Sequence, residues 1–439
     1  MRKILDIIEA LYPFSYSIVG SGNDAAVSVF QSFAAFEVFE YASGMDVNGW
    51  VIPKEHIVHT AQILRDGKVV YDGTISPLGV IAQSISFEGT VSLETLLAHC
   101  HVDPINTNGV PYHWQQLYGK GPVDWGFCMP QAVRDALVPG DYQIVLKTEF
   151  VPGTMKVLVA TLPGRTSETI LLNGHNCHPY QANDDISGCA VAIAALQKLA
   201  ALPDRRYSYS VMIAPELLGP IFWLNFDRPA GMSLFGAMLF KSVGNDAPLR
   251  LQESWNGQAK LDLAAHVAMQ AQYGEYQSGP YRTVYGNDEI VFEAPGFEIP
   301  CISFTRSPFK QYHSNLDTPD TLSETALQET LSVVLSTISY LERDSFYHTT
   351  FKGVPCLSSP RYDLYRPVTD RRLGADAQTA LRRRWNLMMN RLPRDLNEGN
   401  SALDLAARYE LPFEEVSNYI GEWVEKGLLQ PTEKHGPQE

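Results

Sequence analysis

The sequence predicts an α/β protein: a mostly parallel sheet flanked by helices, interrupted by an inserted β-rich domain and followed by a separate helical tail. Three observations lead there. Between residues 169 and 343, short apolar strands alternate with segments of helical length. From about 45 to 100 the texture is different, with short alternating segments broken by Gly, Pro and Asp. Residues 401–430 then read as two helices around a Leu-Pro turn, with a strand-like end.

The elements follow in order. Residues 2–12 form a short amphipathic helix; Asp6 and Glu9 interrupt its apolar face, so it does not read as a signal peptide. A second helix covers 23–35, with Asn23 or Asp24 as its cap. HIVHTAQIL, KVVYDGTI and VIAQSISFEG supply the strands of the insertion, and SLETLLAH (92–99) a short helix. Strands at 142–149 and 154–161 are joined by the turn Pro152-Gly153. TILLNG (169–174), YSYSVMIAP (207–215), SLFGAMLFKSV (233–243) and IPCISFTR (299–306) are strands of the main sheet. SGCAVAIAALQKLA (187–200) and residues 324–343 are helices beside it. The domains expected are 1–40 with 136–350 for the α/β body, 41–135 for the insertion and 365–435 for a winged-helix-like tail.

Composition excludes several functions. The 439 residues are 45% hydrophobic and 19% charged, as in ordinary globular proteins. The net charge of −15 opposes a nucleic-acid surface, which needs a basic face. A winged helix commonly binds DNA, but here the second helix carries Glu414, Glu415, Glu422 and Glu425, which repel phosphate. The basic stretch 371–392 reads as a solvated helix face. The tail's apolar residues Leu405, Ile420, Trp423, Leu428 and Leu429 allow a homodimer. There is no run of 18 apolar residues, so no membrane span is expected. The six cysteines are scattered without a CxxC pair, which speaks against a disulfide framework and suits a reducing cytoplasm.

Chemistry concentrates in LLNGHNCHPYQANDDISGCA (171–190). His175, His178, Asp184 and Asp185 fall between a strand end and a helix start. Glu216 follows the strand that ends at Ala214-Pro215, and His313 and Asp317 sit in the loop after IPCISFTR. In such sheets, sites form at the carboxyl ends of strands, so these groups can converge. Imidazole and carboxylate are zinc donors, and a catalytic zinc usually keeps three protein ligands and a water. Glu216 suits the proton-transfer role beside it. Asp317, four residues after His313, can accept the other ring N–H of that histidine. Arg306, Lys310 and Tyr312 flank His313 and can bind a substrate carboxylate or an oxyanion. Asp288 and Glu289 can bind a substrate amine or cap their loop. Cys177 reads as a buried small residue and not as a nucleophile. Trp125 reads as packing between the insertion and the body, or as an aromatic wall if it reaches the cleft.

This pattern resembles the zinc exopeptidase superfamily of leucyl-aminopeptidase type: strand–His–Asp–helix, strand–Glu, then a late His followed by Asp. NDDISG looks like its metal-bridging motif, in which the first Asp of the pair is the ligand, and this implies Asp184 over Asp185. A closer subgroup is similar over roughly residues 10–430: bacterial aminopeptidase-like proteins often labelled polysaccharide-biosynthesis or peptidase-like. The motifs that carry the likeness are LYPFSYSIVGSG, WVIPKEH (50–56), WGFC (125–128), CHP…NDxxSG, PExxG, NDE and YHSxxD, then a winged-helix tail. The resemblance implies His178 over His175 as ligand, although spacing alone leaves both open.

The sequence departs from the two-metal peptidases at two places. They carry adjacent glutamates where this chain has Pro215-Glu216, and an Asp ligand near the place of Lys241. A charged lysine cannot ligate, and its ammonium can stand in for a cation. The resulting expectation is one Zn2+ per chain held by His178, Asp184 and His313, with manganese or cobalt as other metals such a site tolerates. Glu216 is the expected base for cleaving an amide bond in a small-molecule or short peptide-like substrate. The alternative is a catalytically degenerate binding module in glycan or secondary-metabolite biosynthesis. Nucleic-acid and membrane partners are not expected.

Overall fold

The computed structural model describes residues 3–114, 117, 123–366 and 375–432. Parts of the expected insertion (115–116 and 118–122) and tail (367–374 and 433–435) therefore lie outside the described residues. The chain divides into two compact units: Met1–Trp255 with Arg282–Leu331, and Asn256–Tyr281 with Ser332–Glu439.

The first unit is built on a large sheet. Its strands in chain order are β1 (Glu37–Ala42), β2 (Thr154–Leu162), β3 (Glu168–His175), β4 (Ser208–Ala214), β5 (Ser233–Lys241), β6 (Leu249–Gln252) and β7 (Cys301–Arg306). In space they run β1-β2-β4-β3-β5-β7-β6. The centre, β4-β3-β5-β7, is parallel, and β1, β2 and β6 pair antiparallel at the margins. The central strands are apolar on both faces because both are covered. Leu171, Met212, Ala237 and Leu239 pack with Ile221, Phe222 and Trp223 of the helix Leu218–Phe226. Helix Ser187–Ala200 covers the same strands with Ala190, Val191, Ile193 and Leu196, all buried. Its start approaches β3 closely: a Cβ on Gly174 would lie 2.7 Å from the Cys189 backbone nitrogen, so only glycine fits there. The helix expected at 23–35 spans Ser21–Phe33, so it begins before the expected cap. Asn23 instead accepts from Ser17 N and donates to the Asn176 carbonyl, tying that helix to the loop after β3.

The insertion has a sheet of its own, in the order Lys68–Asp72, Glu55–Arg65, Asp141–Val151, Phe87–Ser92. Every second residue of Asp141–Val151 at its start faces inward, and Tyr142, Ile144 and Leu146 meet Ile63, Trp125 and Phe127 in one core. Trp125 is consumed there. It stacks on Phe87 at 4.3 Å and on His99 at 3.9 Å, so it packs the insertion internally and does not wall the cleft.

The second unit holds the helices Lys260–Tyr273, Ala375–Asn397, Ala402–Tyr409 and Phe413–Glu425, and a ribbon of Phe346–Thr349 with Leu429–Thr432. Ser401 starts Ala402–Tyr409 with a capping box to Asp404. Leu405, Ile420, Trp423, Leu428 and Leu429 are at most 5% exposed. They are spent on this unit's own core, so they do not form the free apolar face expected of a dimer surface. Among the described residues, no helix is long and apolar enough to cross a membrane.

Candidate metal centre

Four strand ends converge at one floor. β3 ends at His175, β4 at Ala214 just before Glu216, β5 at Lys241, and β7 leads through its loop to His313. Between β3 and its helix, the turn Ala182–Ile186 carries Asp184 and Asp185. His178, Asp184 and His313 each offer a ligand atom, and those atoms lie within 4.8 Å of one another.

Proton bookkeeping identifies what this group lacks. His178 Nδ1 lies 2.9 Å from the Pro179 carbonyl, which can only accept, so Nδ1 carries the proton and Nε2 a lone pair. That Nε2 faces Asp184 Oδ2 at 3.5 Å, and His313 Nε2 faces the same oxygen at 3.4 Å. His178 Nε2 and Asp184 Oδ2 are buried without a hydrogen-bond partner. A buried acceptor facing a buried acceptor is unfavourable unless a cation joins them. Burial also pushes the His313 imidazole down to about 4, which keeps it neutral and able to ligate. The donors present therefore fit a divalent metal.

The other candidates take supporting roles. Asp185 accepts from His175 N and Ser242 N, and a Cβ on Gly188 would meet its carboxylate at 2.5 Å. Asp317 does not reach the His313 ring. It accepts from the backbone nitrogens of Asn183 and Asp184, at 2.7 and 2.9 Å, and so holds the turn that carries Asp184. Asp288 accepts from Leu217 N at 2.6 Å and Asn173 Nδ2 at 2.7 Å, anchoring the turn beside Glu216. Burial pushes its carboxyl up to about 7. Glu289 binds Arg282 and the Asn287 nitrogen. Arg306 does not reach the cleft as expected: it ends β7 but turns away, donating to Ala247 and Ala326 carbonyls and pairing with Glu329. Lys310 gives its carbonyl to Asn106, and nothing in the structure ties its side chain to the floor.

Lys241 is the surprise of the floor. It is 1% exposed, yet its Nζ lies 2.5 Å from Asp184 Oδ1 and 2.7 Å from His175 Nε2. Burial disfavours both charges, but their mutual attraction outweighs it: the Asp184 carboxyl is held well below the usual range and the Lys241 ammonium well above. His175 is thereby occupied. A second group of His175, Cys177 and Glu216 also lies within ligand reach. There the ammonium holds His175 Nε2, and burial pushes the Cys177 thiol far up, so this is the poorer metal site.

A cavity of about 240 Å³ opens over the floor, lined by Trp50, Tyr112, Trp114, His178, Glu216, Leu217, Tyr312 and His313 among others. Tyr112 stacks on His178 at 4.6 Å, and Tyr312 on His313 at 3.7 Å. Trp50, Tyr112 and Trp114 were not singled out by sequence reasoning; the aromatic run Tyr112-His113-Trp114 was the available signal. The insertion also fixes the His313 loop, since Tyr112 N donates to the His313 carbonyl and Val110 pairs with Asn315. Strain gathers at the same place. Tyr180, Leu217, Ser242 and His313 all have φ between 53° and 62°, a conformation costing roughly 1–3 kcal/mol each for such residues.

Comparison with known proteins gives the family and the fold. Residues 5–344 match the family model described as a domain of unknown function, DUF4910. The chain belongs to that family. A Clostridium acetobutylicum protein, described as a candidate polysaccharide biosynthesis protein with an aminopeptidase-like domain, is 27% identical over 348 residues, 79% of each chain. A crystal structure of a candidate peptidase from Clostridium acetobutylicum superposes with a TM-score of 0.78 at 24% identity, covering 98% of this chain and 96% of that one. A zinc aminopeptidase from Bacillus subtilis gives 0.58 at 13% identity over 77% and 94%. The DUF4910 chain thus has an aminopeptidase-like α/β fold.

Proposed function

We propose that this DUF4910 protein is a single-zinc hydrolase of aminopeptidase type that cleaves an amide bond in a small substrate. The observation that carries the reading is the pair of His178 Nε2 and Asp184 Oδ2, both buried without a hydrogen-bond partner, with His313 Nε2 3.4 Å from the same carboxylate oxygen. The fold's likeness to zinc aminopeptidases supports it. His178, Asp184 and His313 would hold the metal. Zinc, when bound, supplies a Lewis acid that polarises a carbonyl and acidifies water.

The chain's own residues account for the rest. Glu216 lines the cavity with its side chain 23% exposed, and burial raises its carboxyl above the ordinary value against the pull of Lys241. Such a carboxylate takes the proton of an attacking water and returns it to the leaving nitrogen. Asp288 keeps the Glu216 turn in place through Leu217 N, and Asp317 does the same for Asp184. The aromatic walls and the small cavity restrict access, so short substrates fit and long peptides do not. Lys241 occupies the neighbourhood of a second cation, which favours one metal per chain.

Lys241 also favours a second reading, a degenerate module that binds without turnover. Metal content by mass spectrometry, on protein purified without chelator, tests the first. About one zinc per chain, lost in His313→Ala, is the expected outcome. No metal after zinc is added back would sink the hydrolase reading. Stoichiometric zinc with no turnover across an amide panel would favour the binding module.

A further inference from the structure

The floor carries its own ammonium, and this bears on which substrates it accepts. A free α-amine is largely cationic below a pKa of about 8 and needs acceptors in its site. Apart from the proposed ligand atoms, the carboxylates near the floor are already engaged. Asp184 Oδ1 and His175 Nε2 hold Lys241 Nζ, which also lies 4.0 Å from Glu216 Oε2. Both Asp288 oxygens accept from Leu217 N and Asn173 Nδ2, and the residue is fully buried. Glu289, also fully buried, is bound to Arg282 and Asn287 N. Among the described residues that line the cavity, Glu216 is the single carboxylate, and it faces a cation already. The remaining walls, Trp50, Tyr112, Trp114, Tyr312 and Leu217 among them, offer no carboxylate to pair a substrate amine.

We infer that Lys241 is a specificity-determining residue that turns the site away from free amino termini and toward amides whose α-nitrogen is acylated or absent. This rests on the single-zinc hydrolase reading. The Lys241 ammonium is buried 4.0 Å from Glu216 Oε2, the carboxylate that lines the cavity, and so opposes a second cation beside it. Tyr285 and Tyr312 hold it from the sides, with their ring centres 5.5 and 5.6 Å from Nζ.

The test compares two ligands with the same zinc-binding group and different charge on the α-nitrogen: leucine hydroxamate and N-acetyl-leucine hydroxamate. Each is titrated into the zinc-loaded full chain by calorimetry. The acetylated ligand is expected to bind at least about tenfold more tightly at pH 6.5. That ratio narrows as pH rises past the ligand amine's pKa near 8, because the free amine loses its charge. Equal or tighter binding of leucine hydroxamate, or a ratio independent of pH, overturns the inference while leaving a zinc site standing. Protein that takes up no zinc sinks this inference together with the hydrolase reading. Lys241→Met, where it folds, is expected to lose most of the preference; an unchanged ratio in folded variant would take the role away from Lys241. The wild-type pH series decides the question if that variant does not fold.

Discussion

Two groups of histidines, His178 with His313 and His99 with His101 and His113, differ in what faces them. His178 and His313 turn their Nε2 atoms to one buried carboxylate oxygen of Asp184. In the insertion, His101 and His113 have ring centres 4.0 Å apart with the rings tilted by 39°. Nearby His99 lies flat on Trp125 and meets Asp124 at 3.4 Å, on a half-exposed side chain. Histidine density is therefore not the signature of a metal centre. What distinguishes the floor is two imidazole Nε2 atoms meeting one buried carboxylate oxygen, with the His178 proton held on the other side by the Pro179 carbonyl.

The largest effect that sharpens this contrast is chemical. Glu216→Gln is expected to keep its zinc and lose about 10²- to 10⁴-fold in amide-hydrolysis rate, the usual worth of a positioned proton carrier. Loss of zinc in that variant would move Glu216 into the ligand set and redraw the centre. A smaller effect is expected from Asp317→Asn. It weakens the two backbone contacts that hold the Asp184 turn, so zinc affinity, measured by competition with a chelator, should drop about 10- to 100-fold. An unchanged affinity would make Asp317 a purely structural group. The smallest effect belongs to the insertion. Burial beside His113 pushes His101 down to about 4, while the unfolded chain takes up a proton near 6.5. Between those values the unfolded state binds more protons, so stability is lost as pH falls from 6.5 toward 4. His101→Gln is expected to flatten that part of a Tm-versus-pH curve and leave zinc content untouched. A fall in zinc content would collapse the distinction between the two histidine groups.

Much of the body was legible because its signals are local. The strand ends before His175, Glu216, Lys241 and the His313 loop are short apolar runs, and a parallel sheet brings such ends together whatever lies between. The displaced members are those whose partners are far away in sequence. Asp317 reads as a partner for His313 four residues earlier, yet it binds nitrogens 133 and 134 positions away. Arg306 reads as a cleft residue from its place beside the loop, but its guanidinium has carbonyls and Glu329 waiting on the other side. The strand Asp141–Val151 looks local to the body, and its alternation gives no hint that its partners are Glu55–Arg65 and Phe87–Ser92. Trp125 and the tail's apolar residues are core-forming in type, and only packing tells which core.

The short ribbon between residues 110–112 and 313–315 joins the insertion to the loop of the last proposed ligand. Whatever steadies His313 from below is therefore felt by the insertion above, because a ligand that favours the ordered state raises the cost of opening everything ordered with it. Tyr112 of the cavity wall and the His313 loop share this backbone pairing, so loosening one is expected to loosen the other.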